Sequence, residues 1–166
     1  METDRPFGLR RIVDQIQAVD PDHLRGVALF ATAGTTSAVM KAENPMRDEW
    51  RDLEAVRAKA AASGLPPVMA LAVGIDSVGV YPMTPQGELR GALFARWHVG
   101  DFRAGARRQF IVVALTVILR DGDRFDRSGP RYELETKSFP LGPNRFNARI
   151  ARIIVQMGQP APRAEP

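Results

Sequence analysis

Three arginines in the second half of the chain are the strongest candidates for a binding site. Arg103 and Arg107 are four positions apart, so on a β-strand they share one face, while Arg108 lies on the other. The planar guanidinium group suits carboxylate and phosphate groups. We therefore expect this arginine cluster, with Arg90 and Arg96 nearby, to bind an acidic peptide, a phosphate or a lipid head group. A solvated sheet surface with acidic neighbours is the alternative interpretation.

The pair His98 and Asp101 indicates a different kind of chemistry. An imidazole beside a carboxylate can act as a general base when a nucleophile lies within about 3 Å. The serines Ser77, Ser128 and Ser138 belong to no nucleophile motif. A small α+β enzyme using His98 and Asp101 is therefore an alternative to a binding domain. This alternative requires a concave cavity around His98. The leading interpretation is a binding domain, and it assigns no catalytic residue.

Two further segments could bind an ion. His23 follows Asp20 and Asp22, but no second histidine is near and the chain has no cysteine, so we expect solvated aspartates and no metal or cofactor. Residues 34–37, Gly-Thr-Thr-Ser, could offer backbone N–H groups and hydroxyls to an anion. They lack the lysine and the glycine spacing of a phosphate-binding loop. We interpret them as a turn.

Charge is distributed unevenly along the chain. Residues 1–87 contain 9 basic and 11 acidic side chains, whereas residues 88–166 contain 14 basic and 8 acidic ones. The basic half could bind nucleic acid or an anionic lipid. Nucleic acid is the weaker of these alternatives, because we interpret Phe94, Trp97 and Phe110 as core residues and not as aromatic side chains that stack on bases.

The length of 166 residues suits one domain. The N-terminal residues lack the apolar core of a signal peptide, and the missing cysteines suit a reducing compartment, so we expect a cytoplasmic protein. The longest apolar stretch, residues 110–119, is about half of the ~20 residues that cross a bilayer. Apolar side chains would lie on both faces of this predicted strand, so each face must pack against another element. We expect the N-terminal helix or the helix at 45–63 to pack on it, or a homodimer to form there.

Hydrophobic spacing and turn residues predict an α+β fold. We expect an N-terminal amphipathic helix within residues 1–23 and a helical insertion at about 44–64, where Asn44 caps and Pro45 begins the helix. A buried hairpin should span residues 68–83 and turn near Asp76. The other predicted elements are strands at 24–32, 89–97, 102–107, 110–119 and 131–136, a C-terminal helix from about 143 to 157, and a disordered tail at 158–166.

Six or seven antiparallel strands followed by one amphipathic helix resemble a pleckstrin-homology-like split barrel. The chain is also similar to uncharacterised actinobacterial proteins of that class over residues 24–157. The similarity lies in Gly-Thr-Thr-Ser-Ala at 34–38, Gly-Leu-Pro at 64–66, the hairpin strand at 69–73 and Gly91. Where those relatives carry a Thr-Asp-Arg-Arg turn, this chain keeps only Asp76.

The resemblance implies a fold and a broad function. In that fold the C-terminal helix closes the open end of two curved sheets, and eukaryotic domains of this shape often bind phosphoinositides or peptides. We therefore expect a non-enzymatic binding or adaptor domain for a protein or an acidic ligand.

Overall fold

The computed structural model describes residues 5–20, 23–33, 64–84, 86–120, 125, 130–138 and 145–159. Within these ranges the fold is α+β, with two helices and one seven-stranded antiparallel sheet. The helices are α1 (Arg10–Gln17) and α2 (Asn147–Met157). The strands are β1 (Gly26–Thr32), β2 (Val68–Val73), β3 (Ser77–Pro82), β4 (Ala95–His98), β5 (Phe102–Gln109), β6 (Val112–Leu119) and β7 (Arg131–Lys137). Three predicted segments lie outside the described residues: the turn at 34–37, residues 44–63 of the helical insertion and residues 160–166 of the tail.

The sheet consists of two antiparallel meanders. Its strand order is β4-β3-β2-β1-β7-β6-β5, so β4 and β5 form the two edges and the sheet is not closed. Only two residue pairs, Ala31 with Glu135 and Thr32 with Leu134, join β1 to β7. By contrast, six pairs join β1 to β2 and seven join β6 to β7. The two meanders therefore meet along a short seam.

The main hydrophobic core lies between the inner faces of both meanders and α2. Ile150 and Ile154 of α2 are fully buried against residues such as Leu71, Leu115 and Leu134. The start of α2 is fixed by polar contacts, because Asn147 Nδ2 donates to Thr136 Oγ1 at 3.1 Å and to the Lys137 carbonyl at 2.8 Å. The predicted C-terminal helix and its apolar stripe agree with this arrangement.

A second core covers the outer face of β1, β2 and β3. The α1 side chains Ile12, Val13 and Ile16 pack there against residues that include Val27 and Ala70. Every residue of β2 is therefore buried, which explains why the 68–83 hairpin is apolar on both faces. The hairpin prediction is confirmed.

The predicted cover for residues 110–119 is wrong as far as α1 is concerned. This helix packs on β1 and its neighbours and not on β6. The outer face of β6 needs less cover than the sequence indicates, since Thr116 and Ile118 are half-buried and Ala114 is exposed. The other predicted cover, the helix at 45–63, lies outside the described residues.

Two further predictions need correction. The strand expected at 89–97 is much shorter, because residues 91–94 are exposed and Gly91, at φ 146°, interrupts the extended backbone. Trp97 is a core residue as predicted, but Phe94 is 47% exposed and Phe110 is 90% exposed. Phe94 precedes the short strand β4, and Phe110 lies in the turn between β5 and β6, so neither reaches the core.

Candidate functional site

All three arginines of the cluster lie on β5, which is an edge strand. Arg103 is half-buried, and Arg107 and Arg108 are exposed. Alternation along the strand puts Phe102 on the inner, core-facing side, so Arg108 shares that side and Arg103 and Arg107 lie on the outer side. The structure therefore gives the cluster the two-faced arrangement that its spacing predicts, along one edge of the sheet.

The backbone of β5 meets no described partner along part of its outer edge. Gln109 pairs with Val112 across a two-residue turn, and Asp101 accepts a bond from Arg120 N at 2.9 Å, so odd-numbered residues bond to β6. Even-numbered residues consequently direct N–H and C=O groups away from the sheet. The end of α2 covers Ala104, since a Cβ on Gly158 would lie 2.7 Å from Ala104 N.

Beyond Ala104, no described residue covers the edge. Among the described residues, no backbone partner meets the outward groups of Ala106 and Arg108. Residues 105–109 are all exposed. Gly105 and Ala106 are small, so they leave room beside the strand for another backbone. This stretch can accept hydrogen bonds from, and donate them to, an extended chain.

Arg103 and Arg107 differ in their surroundings. The Arg103 guanidinium lies over the Phe125 ring, 4.1 Å from its centre, in a cation–π contact. Arg107 has no hydrogen-bond or ion-pair partner within the described part of the chain. Both cations can therefore meet an anionic group without first breaking an ion pair with a described residue.

Acidic residues lie on the same outer face, two strands away. Glu133 is in the row of Gly105 and Thr116, and Glu135 is in the row of Arg107. Glu133 accepts from Arg131 at 3.2 Å, with both side chains exposed. The strand spacing of about 4.8 Å puts these carboxylates roughly 10 Å from β5. The edge strand itself carries positive charge only.

His98 and Asp101 have different surroundings in the structure. His98 ends β4 and is exposed. The Asp101 carboxylate lies 3.4 Å from Arg120 Nη1, in an open depression that Trp97 and Leu119 also line. His23 is likewise exposed, and Asp22 lies outside the described residues.

A buried polar cluster joins the end of α1 to β3 and β4. Tyr81 Oη donates to Asp20 Oδ2 at 2.7 Å, and Arg96 Nη2 donates to the same oxygen at 3.1 Å. Arg96 Nη1 also donates to Ser77 Oγ at 3.1 Å. Burial, and then the hydrogen bond to Asp20, raise the pKa of Tyr81 to about 12, because both favour the protonated phenol.

This cluster corrects two expectations from the sequence. Asp20 is 7% exposed and is not a solvated aspartate. Arg96 belongs to the Asp20 ion pair, in which the Asp20 side chain is fully buried, and does not extend the arginine cluster. The residues are 61 and 76 positions apart, so no local pattern could reveal the contact. Its position at the C-terminal end of α1 indicates that it holds this helix on the sheet.

The described ranges contain no group of three or more His, Cys, Asp or Glu side chains that could hold a metal ion. No helix within them is long and apolar enough to span a bilayer. Comparison with family models, curated proteins and solved structures found no match for the chain.

Proposed function

We propose that the protein is a cytoplasmic, non-enzymatic binding domain of the pleckstrin-homology-like class, and that it binds an extended acidic peptide along the free edge of β5. The strand order of two meanders and the C-terminal helix packed between them support the assignment to this class. The similarity to uncharacterised actinobacterial members of the class is part of the same proposal.

The observation that carries the proposal is the open edge at Ala106 and Arg108. An added strand would bond to their outward N–H and C=O groups and continue the antiparallel sheet. Main-chain bonds of this kind bind an extended peptide of any sequence. Selectivity must therefore come from the side chains beside the edge.

The side chains beside the edge favour acidic residues. Arg103 and Arg107 lie on the outer face, about 13 Å apart at the usual rise of a strand, and Arg108 lies on the inner face. An added peptide strand also alternates its side chains between the two faces. Carboxylates on either face would thus meet a guanidinium group, as charge-assisted hydrogen bonds require.

Calorimetric titration with synthetic peptides that alternate glutamate and valine tests the proposal. We expect binding by the wild-type domain and none by Ala106→Pro, because proline removes an outward N–H and obstructs strand addition. The ladder bonds of β5 to β6 remain, since Ala106 does not bond to β6, so this edge-strand variant should fold. The double variant Arg103→Ala, Arg107→Ala should bind at least tenfold more weakly.

The matched control is Arg152→Ala, which removes an exposed arginine from α2 and should leave the affinity unchanged. Equal affinity of the wild type and Ala106→Pro would refute the edge site. If two β5 edges pair with each other, the protein is a homodimer instead. Sedimentation equilibrium at micromolar concentration decides this point, because a monomer excludes self-pairing.

A further inference from the structure

The turn between β5 and β6 presents an exposed aromatic side chain. Phe110 follows Gln109 in the two-residue turn of this hairpin, and its side chain is 90% exposed. Its backbone has a φ of 57°, and it is the one non-glycine residue of the described ranges with a positive φ. Glycine is the usual residue at such a turn position. A phenylalanine here strains the backbone and adds no packing to the core.

Hydrogen bonds hold the turn in this conformation. Arg108 Nε donates to the Phe110 carbonyl at 3.0 Å, and Arg108 Nη2 donates to the Ser138 carbonyl at 3.3 Å. Ser138 N donates to the Ile111 carbonyl at 2.8 Å, which ties the turn to the end of β7. The ring is therefore held at the tip by a fixed backbone.

Positive charge surrounds this tip on both faces of the hairpin. Arg107 lies on the outer face and Arg108 on the inner face, one on each side of the strand that leads to Phe110. Lys137 is in the same row as Gln109 and Val112 and adds a third cation at this end of the sheet. The segments 107–112 and 136–138 contain no acidic residue.

We propose that the hairpin tip, residues 109–112, docks on an anionic membrane surface. Phe110 enters the boundary between head groups and acyl chains, while Arg107, Arg108 and Lys137 contact anionic head groups. Cations on both sides of a protruding ring suit a flat charged surface that is approached end-on. A groove on a protein partner would contact one face of the hairpin and leave the other arginine unused.

This membrane contact shares Arg107 and Arg108 with the peptide site but does not depend on it. Arg103 lies toward the other end of β5 and belongs to the peptide site alone, whereas Phe110 belongs to the membrane contact alone. With the tip on a membrane, the open edge at Ala106 would lie beside the surface. A peptide bound there would be held close to the membrane.

Co-sedimentation with lipid vesicles tests the membrane contact. We expect the wild type to sediment with phosphatidylcholine vesicles that contain phosphatidylserine and to stay in solution with phosphatidylcholine alone. Phe110→Gly should bind about tenfold more weakly, since it loses the apolar insertion. Arg107→Ala should bind about fivefold more weakly, through the loss of one cation near the surface.

Two controls separate this contact from a structural effect and from the peptide site. Ile75→Ala removes another exposed apolar side chain, in the turn between β2 and β3 of the first meander, and should bind vesicles as the wild type does. Arg103→Ala should also bind vesicles normally. Phe110→Gly should melt within a few degrees of the wild type, because relief of the backbone strain offsets the flexibility of glycine.

Three results would overturn the proposal. These are equal vesicle binding by Phe110→Gly and the wild type, binding that does not depend on phosphatidylserine, and no binding to either kind of vesicle. Loss of a protein partner by Phe110→Gly, with vesicle binding unchanged, would assign the tip to a protein interface.

Discussion

The two meanders of the sheet share an inner core but differ on their outer faces. In the first meander, α1 covers the outer face of β1, β2 and β3, so β2 is buried on both sides. In the second, the outer face of β5 is exposed along residues 105–109, and Ala114 of β6 is exposed as well. The arginine cluster and the tip lie on this second meander. One meander is therefore covered on its outer face, whereas the other leaves β5 and part of β6 in solvent.

The prediction with the largest expected effect places a negative charge on the outer face of each meander in turn. Ala70→Asp puts a carboxylate among the apolar side chains under α1 and should destabilise the fold by more than about 4 kcal/mol. Ala114→Asp lies between Arg107 and Glu135 on the open face and should change stability by less than about 1 kcal/mol. Urea unfolding followed by circular dichroism measures both. Similar losses in the two variants would refute the distinction between covered and open faces.

Truncation of a buried leucine on the inner face should lower stability similarly in both meanders. Leu71 of β2 and Leu115 of β6 are fully buried in the same core. Leu71→Ala and Leu115→Ala should each lower the free energy of unfolding by about 2–5 kcal/mol, through lost burial and the cavity left behind. Denaturant titration at neutral pH provides the values. A loss below 1 kcal/mol in only one of them would show that the core is not shared.

A smaller loss of stability is expected when the attachment of α1 to the first meander is weakened. The pKa of Tyr81 is raised above its ordinary value of 10.0 to about 12, so the folded protein keeps a proton that the unfolded chain loses. This contribution is complete below pH 10 and is lost as the pH rises from 10 to 12. Tyr81→Phe should cost about 1–3 kcal/mol at pH 8 and should show a weaker fall in stability between pH 10 and 12. Melting curves across that range compare the two proteins, and parallel curves would contradict the role of Tyr81.

Local sequence patterns predicted the helices and strands that have a clear pattern of apolar residues. The C-terminal helix follows from apolar periodicity, and the first strand and the 68–83 hairpin follow from continuous apolar runs bounded by turns. The same patterns misplaced Phe110, because a two-residue turn without asparagine or glycine gives no turn signal, and an aromatic residue beside a run of β-branched ones resembles the start of a strand. Hydrophobicity alone does not show whether a side chain faces the core or the end of a hairpin.

The sequence predicted only part of the candidate site, because local patterns do not show long-range contacts. The spacing of Arg103, Arg107 and Arg108 gives their faces once β5 is a strand. That β5 is an edge depends on the pairing of β1 with β7, which joins residues about a hundred positions apart. The Asp20, Tyr81 and Arg96 cluster depends on contacts of comparable range. Such contacts come from the tertiary fold and leave no mark in neighbouring residues.

The short seam between β1 and β7 has a consequence for the order of folding. Within each meander most strands pair with their neighbours in the chain, and these contacts close small loops. The pairing of Ala31 with Glu135 closes a far longer loop, and only two residue pairs form at this seam. We therefore expect the meanders to form early and the seam to close late in folding, when α2 docks between them. Amide protons at the seam should then gain protection from hydrogen exchange after those inside each meander.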